Sequence, residues 1–295
     1  MQQLVEISEE VRAALDAGDA IVALETTLVA HGFPEPDGVQ VGRASDEAVR
    51  SSGAVPATIG VLDGRIRVGL EPSQLERFTS EARKTGPRDL AACAVQGAVG
   101  ATTVGGALAV AGWVGIPFLG TGGIGGVHRG FPSPPDVSAD LPALARTQAL
   151  VVSSGVKSLL DVPATVELLE TLGVPMLGFR TDTLPLFYSA DGGPAVPHRV
   201  DDAAEAARIA AAHWTIGGAG LLLANPPPES LDVDDLIESA VSEATATGVS
   251  GQAVTPFVLS FLHDRSNGRT REVNRALIIE NARLAGETAV AFSAL

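Results

Sequence analysis

Between Leu90 and Val127 the chain carries no acidic, basic or histidine side chain, a stretch long enough to cross a membrane. Its many glycines and threonines, with Pro117 inside it, divide it instead into a buried helix, a strand and a glycine-rich turn. No second apolar span and no basic flank accompany it. Burying such a segment needs a large core. Hydrophobic residues make up 45% of the 295 and charged residues 19%, enough to build one. That composition excludes a disordered tail or a disulfide-stapled mini-fold.

Short β-branched runs alternate with longer Ala-rich stretches, the pattern of an α/β fold around a largely buried sheet. Strands are expected at Ala20–Glu25, Thr58–Leu62, Arg65–Val68, Ile116–Gly120, Ala149–Ser153, Val174–Gly178 and Gly220–Ala224. Asp63-Gly64 supplies positive φ for a tight hairpin, so the sheet is mixed. Helices are expected at Pro36–Ser51, Pro72–Arg83, Arg88–Val99, Val104–Trp113, Pro163–Leu172, Asp201–Trp214, Val233–Thr247, Pro256–Arg265 and Thr270–Phe292. Length alone would allow two domains. With no internal repeat and no long polar linker, residues 1–295 read as one.

Acidic residues outnumber basic ones by 35 to 20, and the net charge of −15 repels nucleic acid and anionic membranes. The single cysteine, Cys93, has no internal disulfide partner, and MQQLVEISEE lacks the basic region and apolar run of a secretory leader. A cytoplasmic protein is expected. Among the basic residues only Lys84 and Lys157 are lysines, the rest being arginines. Codon bias accounts for the overall depletion. Arginine cannot lose its proton or form a Schiff base, whereas lysine does both, so the two that remain are candidates for chemistry.

Gly120-Thr-Gly-Gly-Ile-Gly125 fits a dinucleotide fingerprint after a strand, but the fingerprint needs a helix at its third glycine. The continuation through Pro132 and Pro135 cannot be one. The segment reads either as a backbone that approaches a ligand closely, with His128 and Arg129 at its end, or as a surface turn. In Asp136-Val-Ser-Ala-Asp140 two carboxylates and a hydroxyl suit a divalent cation or sugar hydroxyls, or else cap a helix over Leu141–Arg146. Glu25 ends an apolar strand, either paired with an arginine or with the raised pKa of a general acid. Lys157 lies just past a buried strand, where α/β sheets hold ligands, and apolar surroundings favour its neutral, nucleophilic form. Lys84, in Arg83-Lys-Thr-Gly-Pro-Arg88, belongs to a basic island suited to a phosphate, or to a solvated loop. Asn225, in the rigid Asn-Pro-Pro-Pro turn, is placed to face a site.

The motifs ALETTLVAHG (Ala23–Gly32), GAVPATIGVLDG (Gly53–Gly64), KTGPRDL (Lys84–Leu90), GATTV (Gly100–Val104), TGGIGGVHRG (Thr121–Gly130), DVSADL (Asp136–Leu141), SSGVKSLLD (Ser153–Asp161) and ANPPPE (Ala224–Glu229) resemble the pseudouridine-5′-phosphate glycosidase family, some of whose members are called indigoidine-synthase A proteins. The resemblance runs from about Val11 to Ala289. It implies a three-layer α/β/α sandwich around a mixed, largely parallel sheet, a homotrimer, and dependence on Mn²⁺ or a similar divalent cation. The implied reaction is reversible cleavage of the C–C glycosidic bond of pseudouridine 5′-phosphate to uracil and ribose 5-phosphate. Matched position by position, Glu25 is the implied proton donor and Lys157 the nucleophile. Lys84, Val104, Ser138, Ala139 and Asp140 match substrate-binding positions and Asp136 the metal ligand, with Thr121, His128 and Asn281 as further candidates around the site. Thr26-Thr27 departs from the family's usual Ser-Thr. Two other activities fit the same residues: a Schiff-base aldolase acting on a phosphosugar, and a non-catalytic binder of sugar phosphates or nucleotides.

Overall fold

The computed structural model describes residues 4–132, 135–249, 251 and 254–295. Among the described residues eleven strands form a single sheet: β1 Val5–Ile7, β2 Ile21–Glu25, β3 Val55–Leu62, β4 Arg65–Val68, β5 Arg83–Thr85, β6 Gly100–Thr102, β7 Phe118–Gly120, β8 Leu150–Ser153, β9 Met176–Phe179, β10 His198–Val200 and β11 Leu221–Ala224. They lie in the order β1-β4-β3-β2-β7-β8-β11-β9-β10, and β6 leaves this row to pair with β3 on one side and β5 on the other. Every pairing is parallel except β3 with β4 and β3 with β6. The β3–β4 hairpin turns on Asp63 and Gly64, with φ of 52° and 75°, as the Asp-Gly pair requires.

Helices cover both faces. They are α1 Glu9–Ala17, α2 Thr27–His31, α3 Asp37–Ser51, α4 Leu90–Val95, α5 Val104–Val114, α6 Asp140–Leu144, α7 Val162–Thr171, α8 Ala203–Thr215, α9 Asp234–Ala246, α10 Val254–Arg265 and α11 Arg269–Ser293. Side chains alternate across a strand. Ala23, Val151 and Leu222 accordingly join the core under α1, α5 and α7, while Val22, Val152 and Leu223 join the one under α8 and the C-terminal half of α11. Burial on both sides makes the central strands continuous apolar runs, and the result is the α/β/α sandwich expected. Local signals fix the helix ends. Ser8, Thr103, Asp161 and Asp202 each accept a backbone N–H at an N-cap, and Gly18 and Gly115 close α1 and α5 in the left-handed conformation.

The uncharged stretch becomes α4, β6, α5, β7 and the loop that follows. No helix among the described residues is long and apolar enough to cross a membrane. The helix expected over Pro72–Arg83 does not form. Gln74–Arg77 makes a short 3₁₀ turn that buries Leu75 and leads to the buried Phe78, and Arg83 already belongs to β5. The helix expected over Arg88–Val99 shrinks to α4, because Gly97 turns the chain at φ 65° toward β6.

Strand order reverses between β2 and β7. From β2 the chain moves outward to β3, then returns to β7 on the other side and continues to β8. Ligands of open α/β sheets bind beyond the carboxyl ends of the strands at such a reversal.

Candidate active site

Glu25 is the last residue of β2 and Thr121 follows β7, so the reversal brings them face to face. Thr121 Oγ1 donates to Glu25 Oε1 at 2.6 Å. The carboxyl is 5% exposed. Burial pushes its pKa above the ordinary 4.5, against the opposing charges of Lys157 and Lys84 and the Thr121 hydrogen bond. Glu25 is therefore a buried acid and not half of an arginine salt bridge. The next residues tie the strand end down. Thr26 Oγ1 donates to the Ile59 carbonyl at 2.9 Å and accepts from the Thr102 N–H at 2.9 Å, and Thr27 Oγ1 donates to the Thr102 carbonyl at 2.7 Å.

Lys157 stands at the end of the loop leaving β8, and that loop is zipped to the glycine loop leaving β7. Ser154 N–H donates to Gly122 O, Ile124 N–H to Gly155 O and Lys157 N–H to Ile124 O, at 2.8, 3.1 and 3.1 Å. Gly155 has φ of 76°, and a Cβ there would lie 2.0 Å from the Pro185 carbonyl oxygen, so only glycine serves the turn that presents the lysine. The glycine run thus packs closely against the β8 loop, and its Gly122, Gly123 and Gly125 border the cavities described below. No helix follows it until Asp140; Ser133 and Pro134 lie outside the described residues.

Lys84 is the middle residue of β5, opposite Ala101 of β6. It is a half-buried lysine on a strand, not part of a solvated loop. Burial and the charge of Lys157 push its pKa down to about 8. Val104 opens α5, its side chain in the core and its backbone at the helix N-terminus.

Asp140 spends both carboxylate oxygens on backbone: Gly105 N–H donates to Oδ1 at 2.8 Å and Gly125 N–H to Oδ2 at 2.9 Å. It clamps the start of α5 to the glycine loop, while Ser138 Oγ accepts from the Asp140 N–H at 3.2 Å. The segment opens α6 with Ala139 at the N-cap and no capping side chain, so neither Ser138 nor Asp140 is the cap; Asp136, Ser138 and Asp140 instead line the cavity described below. Asp136 is half-exposed, 3.9 Å from Nδ1 of His128, whose own pKa burial lowers. Among the described residues no group of three His, Cys, Asp or Glu side chains is placed to hold a metal. One carboxylate on a cavity wall suits a largely hydrated divalent ion, not a closed cage.

Every residue singled out as catalytic, substrate-binding or metal-ligating lines one open cavity of about 1310 Å³. Glu25, Lys84 and Lys157 also border a smaller adjoining pocket, with Thr121, His31, Phe187 and Asn274. Arg129 turns away to the Ser158 carbonyl. Asn281, on α11, is fully buried and lines neither space. Its Nδ2 donates to Thr121 O at 2.8 Å and Ser154 Oγ at 3.1 Å, and its Oδ1 accepts from Asn225 Nδ2 at 3.0 Å. Asn225 and Asn281 therefore brace the loops from behind. Asn281→Ala, which strands these buried partners, is expected to lower the unfolding free energy by about 3 kcal/mol in urea denaturation.

Known proteins are similar to this chain over nearly all of its length. Pseudouridine-5′-phosphate glycosidases of Sorangium cellulosum (45% identical, 98% of this chain and 94% of that protein), Caldanaerobacter subterraneus (42%, 100% and 99%) and Streptomyces griseus (46%, 97% and 91%) align along the whole length. Two crystal structures superpose with a TM-score of 0.89. One is the prealnumycin C-glycosynthase AlnA in complex with ribulose 5-phosphate, 39% identical and matching 99% of this chain and 98% of its own. The other is an indigoidine synthase A (IdgA)-like protein from Thermotoga maritima, 38% identical over 98% and 97%. Residues 10–291 match the family described as indigoidine synthase A like protein, and the chain belongs to that family.

Proposed function

We propose that this protein is an enzyme that reversibly cleaves the C–C glycosidic bond of pseudouridine 5′-phosphate, giving uracil and ribose 5-phosphate, with Lys157 as nucleophile and Glu25 as acid. The observation that carries the reading is a buried carboxyl with raised pKa facing the same cavity as both lysines of the chain. Relatives bearing the glycosidase name at 42–46% identity support it.

The bond from ribose C1′ to uracil C5 offers no heteroatom to protonate at the leaving group. Opening the sugar avoids this difficulty. Glu25 gives its proton to the ring oxygen as the neutral Lys157 amine forms a bond to C1′, and the C1′–O bond breaks. The Glu25 carboxylate takes a proton from the ammonium so formed and delivers it to uracil C5, after which the freed nitrogen lone pair forms an iminium at C1′ and the C1′–C5 electrons return to the uracil ring. Water then hydrolyses the iminium, releasing ribose 5-phosphate and the amine. Lys84 and the N-terminal end of α5 bind the phosphate. Lys84 loses its charge as pH rises through about 8, so the KM for the sugar phosphate should climb above that pH.

Asp136 would hold a hydrated Mn²⁺ or similar ion, which supplies positive charge to the substrate's phosphate oxygens when bound. EDTA should abolish turnover and Mn²⁺ restore it. Asp136→Asn should weaken Mn²⁺ binding, measured by electron paramagnetic resonance, by at least about tenfold. The protein would work in the cytoplasm as a homotrimer, which sedimentation checks.

The test mixes purified protein with uracil, ribose 5-phosphate and Mn²⁺, seeks pseudouridine 5′-phosphate by chromatography, and maps borohydride-trapped peptides. Product with a sugar-phosphate adduct on Lys157 is expected. An adduct without uracil-containing product favours an aldolase on a phosphosugar, or C-glycoside formation on another acceptor, the reading the AlnA likeness favours. Neither signal in folded protein leaves a sugar-phosphate binder.

A further inference from the structure

Phe187 holds a backbone conformation that bulky residues rarely adopt, with φ of 63°. Across it the Tyr188 N–H donates to the Leu186 carbonyl at 2.7 Å. That bond closes a three-residue γ-turn in its rare, strained, positive-φ form. A glycine would make this turn without strain, yet the chain places a phenylalanine there. The residue is buried and borders the small pocket together with Glu25, Lys84 and Lys157. Strain of this kind persists only where the surroundings over-determine it, and it gathers at functional sites.

Backbone on both sides pins the turn. Leu186 N–H donates to Ser189 O at 2.9 Å, Leu231 N–H to Tyr188 O at 2.7 Å and Phe187 N–H to Ser154 O at 3.0 Å. The last bond ties the turn to the loop that presents Lys157, and Leu186 forms an antiparallel bridge with Gly155 of the same loop. The Tyr188 ring meets the Phe187 ring edge-on, with centroids 4.8 Å apart and planes at 89°. Gly123 shows where the Phe187 ring goes. A Cβ on Gly123 would lie 2.6 Å from Phe187 Cδ2 and 3.4 Å from Lys157 Cγ. The ring and the lysine stem therefore flank the same space over Gly123, which leaves no room there for a side chain.

The geometry points to Phe187 as a positioning residue for Lys157: the γ-turn presses its ring against the lysine stem and so fixes where the amine meets the reacting carbon. This rests on the reaction proposed above, in which Lys157 is the nucleophile. A lysine carries its charge on a flexible four-carbon stem, and bond formation is fast only when the reacting atoms are held close and aligned. Packing restrains the stem without engaging the nitrogen, so the lone pair stays available. A ring on an ordinary backbone could slide along the stem. One fixed by a strained turn, itself hydrogen-bonded to the lysine loop, moves with that loop as a unit.

The test mixes full-length protein with ribose 5-phosphate, quenches with borohydride over time and quantifies the modified Lys157 peptide by mass spectrometry. Phe187→Ala should slow adduct formation by about 10²-fold, the cost of misplacing a reacting group by about 1 Å. The ribose 5-phosphate concentration at half-maximal rate should stay within about threefold, since Lys84 and α5 are untouched. Phe187→Met, apolar and able to lie along the stem, should recover at least about tenfold of the loss. Gly123→Ala keeps Phe187 but drives its ring off the lysine, and it should lose as much as Phe187→Ala; it decides the matter if Phe187→Ala does not fold. An adduct rate within about threefold of the wild type in either folded variant, or a loss confined to the half-saturating concentration, would overturn the assignment while leaving the reaction standing. If the wild type itself forms no adduct, the nucleophile reading fails, and acetic anhydride labelling decides the packing, with Lys84 as internal reference. A Lys157-to-Lys84 labelling ratio that rises severalfold in Phe187→Ala supports a ring against the stem; an unchanged ratio overturns it.

Discussion

Lys157→Arg is expected to fold as the wild type does and to lose about 10⁴-fold or more in turnover, with no borohydride-trapped adduct. The substitution preserves positive charge and approximate length, so contacts that need only a cation survive. What it removes is an amine that can shed a proton and bond to carbon, because a guanidinium stays protonated at any working pH. The backbone around it is held by hydrogen bonds from Ser154 and Ile124 and by the lysine's own N–H, none of which involves the side chain. A loss of fold is therefore not expected, and an unchanged thermal melt checks this. Lys84→Arg is the matched control. If Lys84 contributes charge toward phosphate, its arginine variant should keep most activity and raise the KM for the sugar phosphate only modestly. Near-wild-type turnover in Lys157→Arg would end the covalent mechanism. Equal collapse of both variants would mean that the site needs two amines.

The contrast between the lysines also shows what a linear reading reaches. Glu25 and Lys157 were legible because each ends or follows a strand buried on both faces, and such strands appear as unbroken apolar runs. The arginine-rich composition isolated Lys84 as well, but not its setting. β5 and β6 are three residues each, too short to show a period, and they exist because they pair with each other and with β3. Before Arg83 the chain makes a 3₁₀ turn over Gln74–Arg77 where a helix over Pro72–Arg83 is expected from the sequence. Burial, set by that pairing, turns Lys84 from a loop cation into one with a lowered pKa. Tertiary routing also hid α11. Its sequence reads as one long helix, but nothing local says that Asn274 reaches the small pocket while Asn281, two turns on, holds three loops from behind. Asp140 likewise serves as a clamp only because Gly105 and Gly125, distant in sequence, bring it their N–H groups.

Glu25→Gln is expected to separate function from stability. Glutamine keeps the size of the side chain and an oxygen to accept from Thr121, but has no acidic proton, so turnover should fall by about 10²- to 10⁴-fold. The same change should raise stability at neutral pH. In the unfolded chain Glu25 ionises near its ordinary 4.5, whereas in the folded protein burial holds its pKa higher. Between those values the folded state binds the extra proton, so folding weakens as pH rises. The Gln variant has no such group and escapes that loss. Urea denaturation from pH 4 to 8 should show the variant gaining on the wild type as pH rises above about 4.5, where the unfolded carboxyl begins to ionise. The advantage should vanish toward pH 4. Lys157 and Lys84 work against this, since their charges favour the carboxylate. A variant less stable than the wild type at pH 7 but not at pH 4 would mean that the lysines outweigh burial. Glu25 would then be a resident anion, and the proton for the ring oxygen would have to come from another group. A gain at pH 7 with loss of turnover would instead identify a carboxyl kept buried at the expense of stability because the reaction needs its proton.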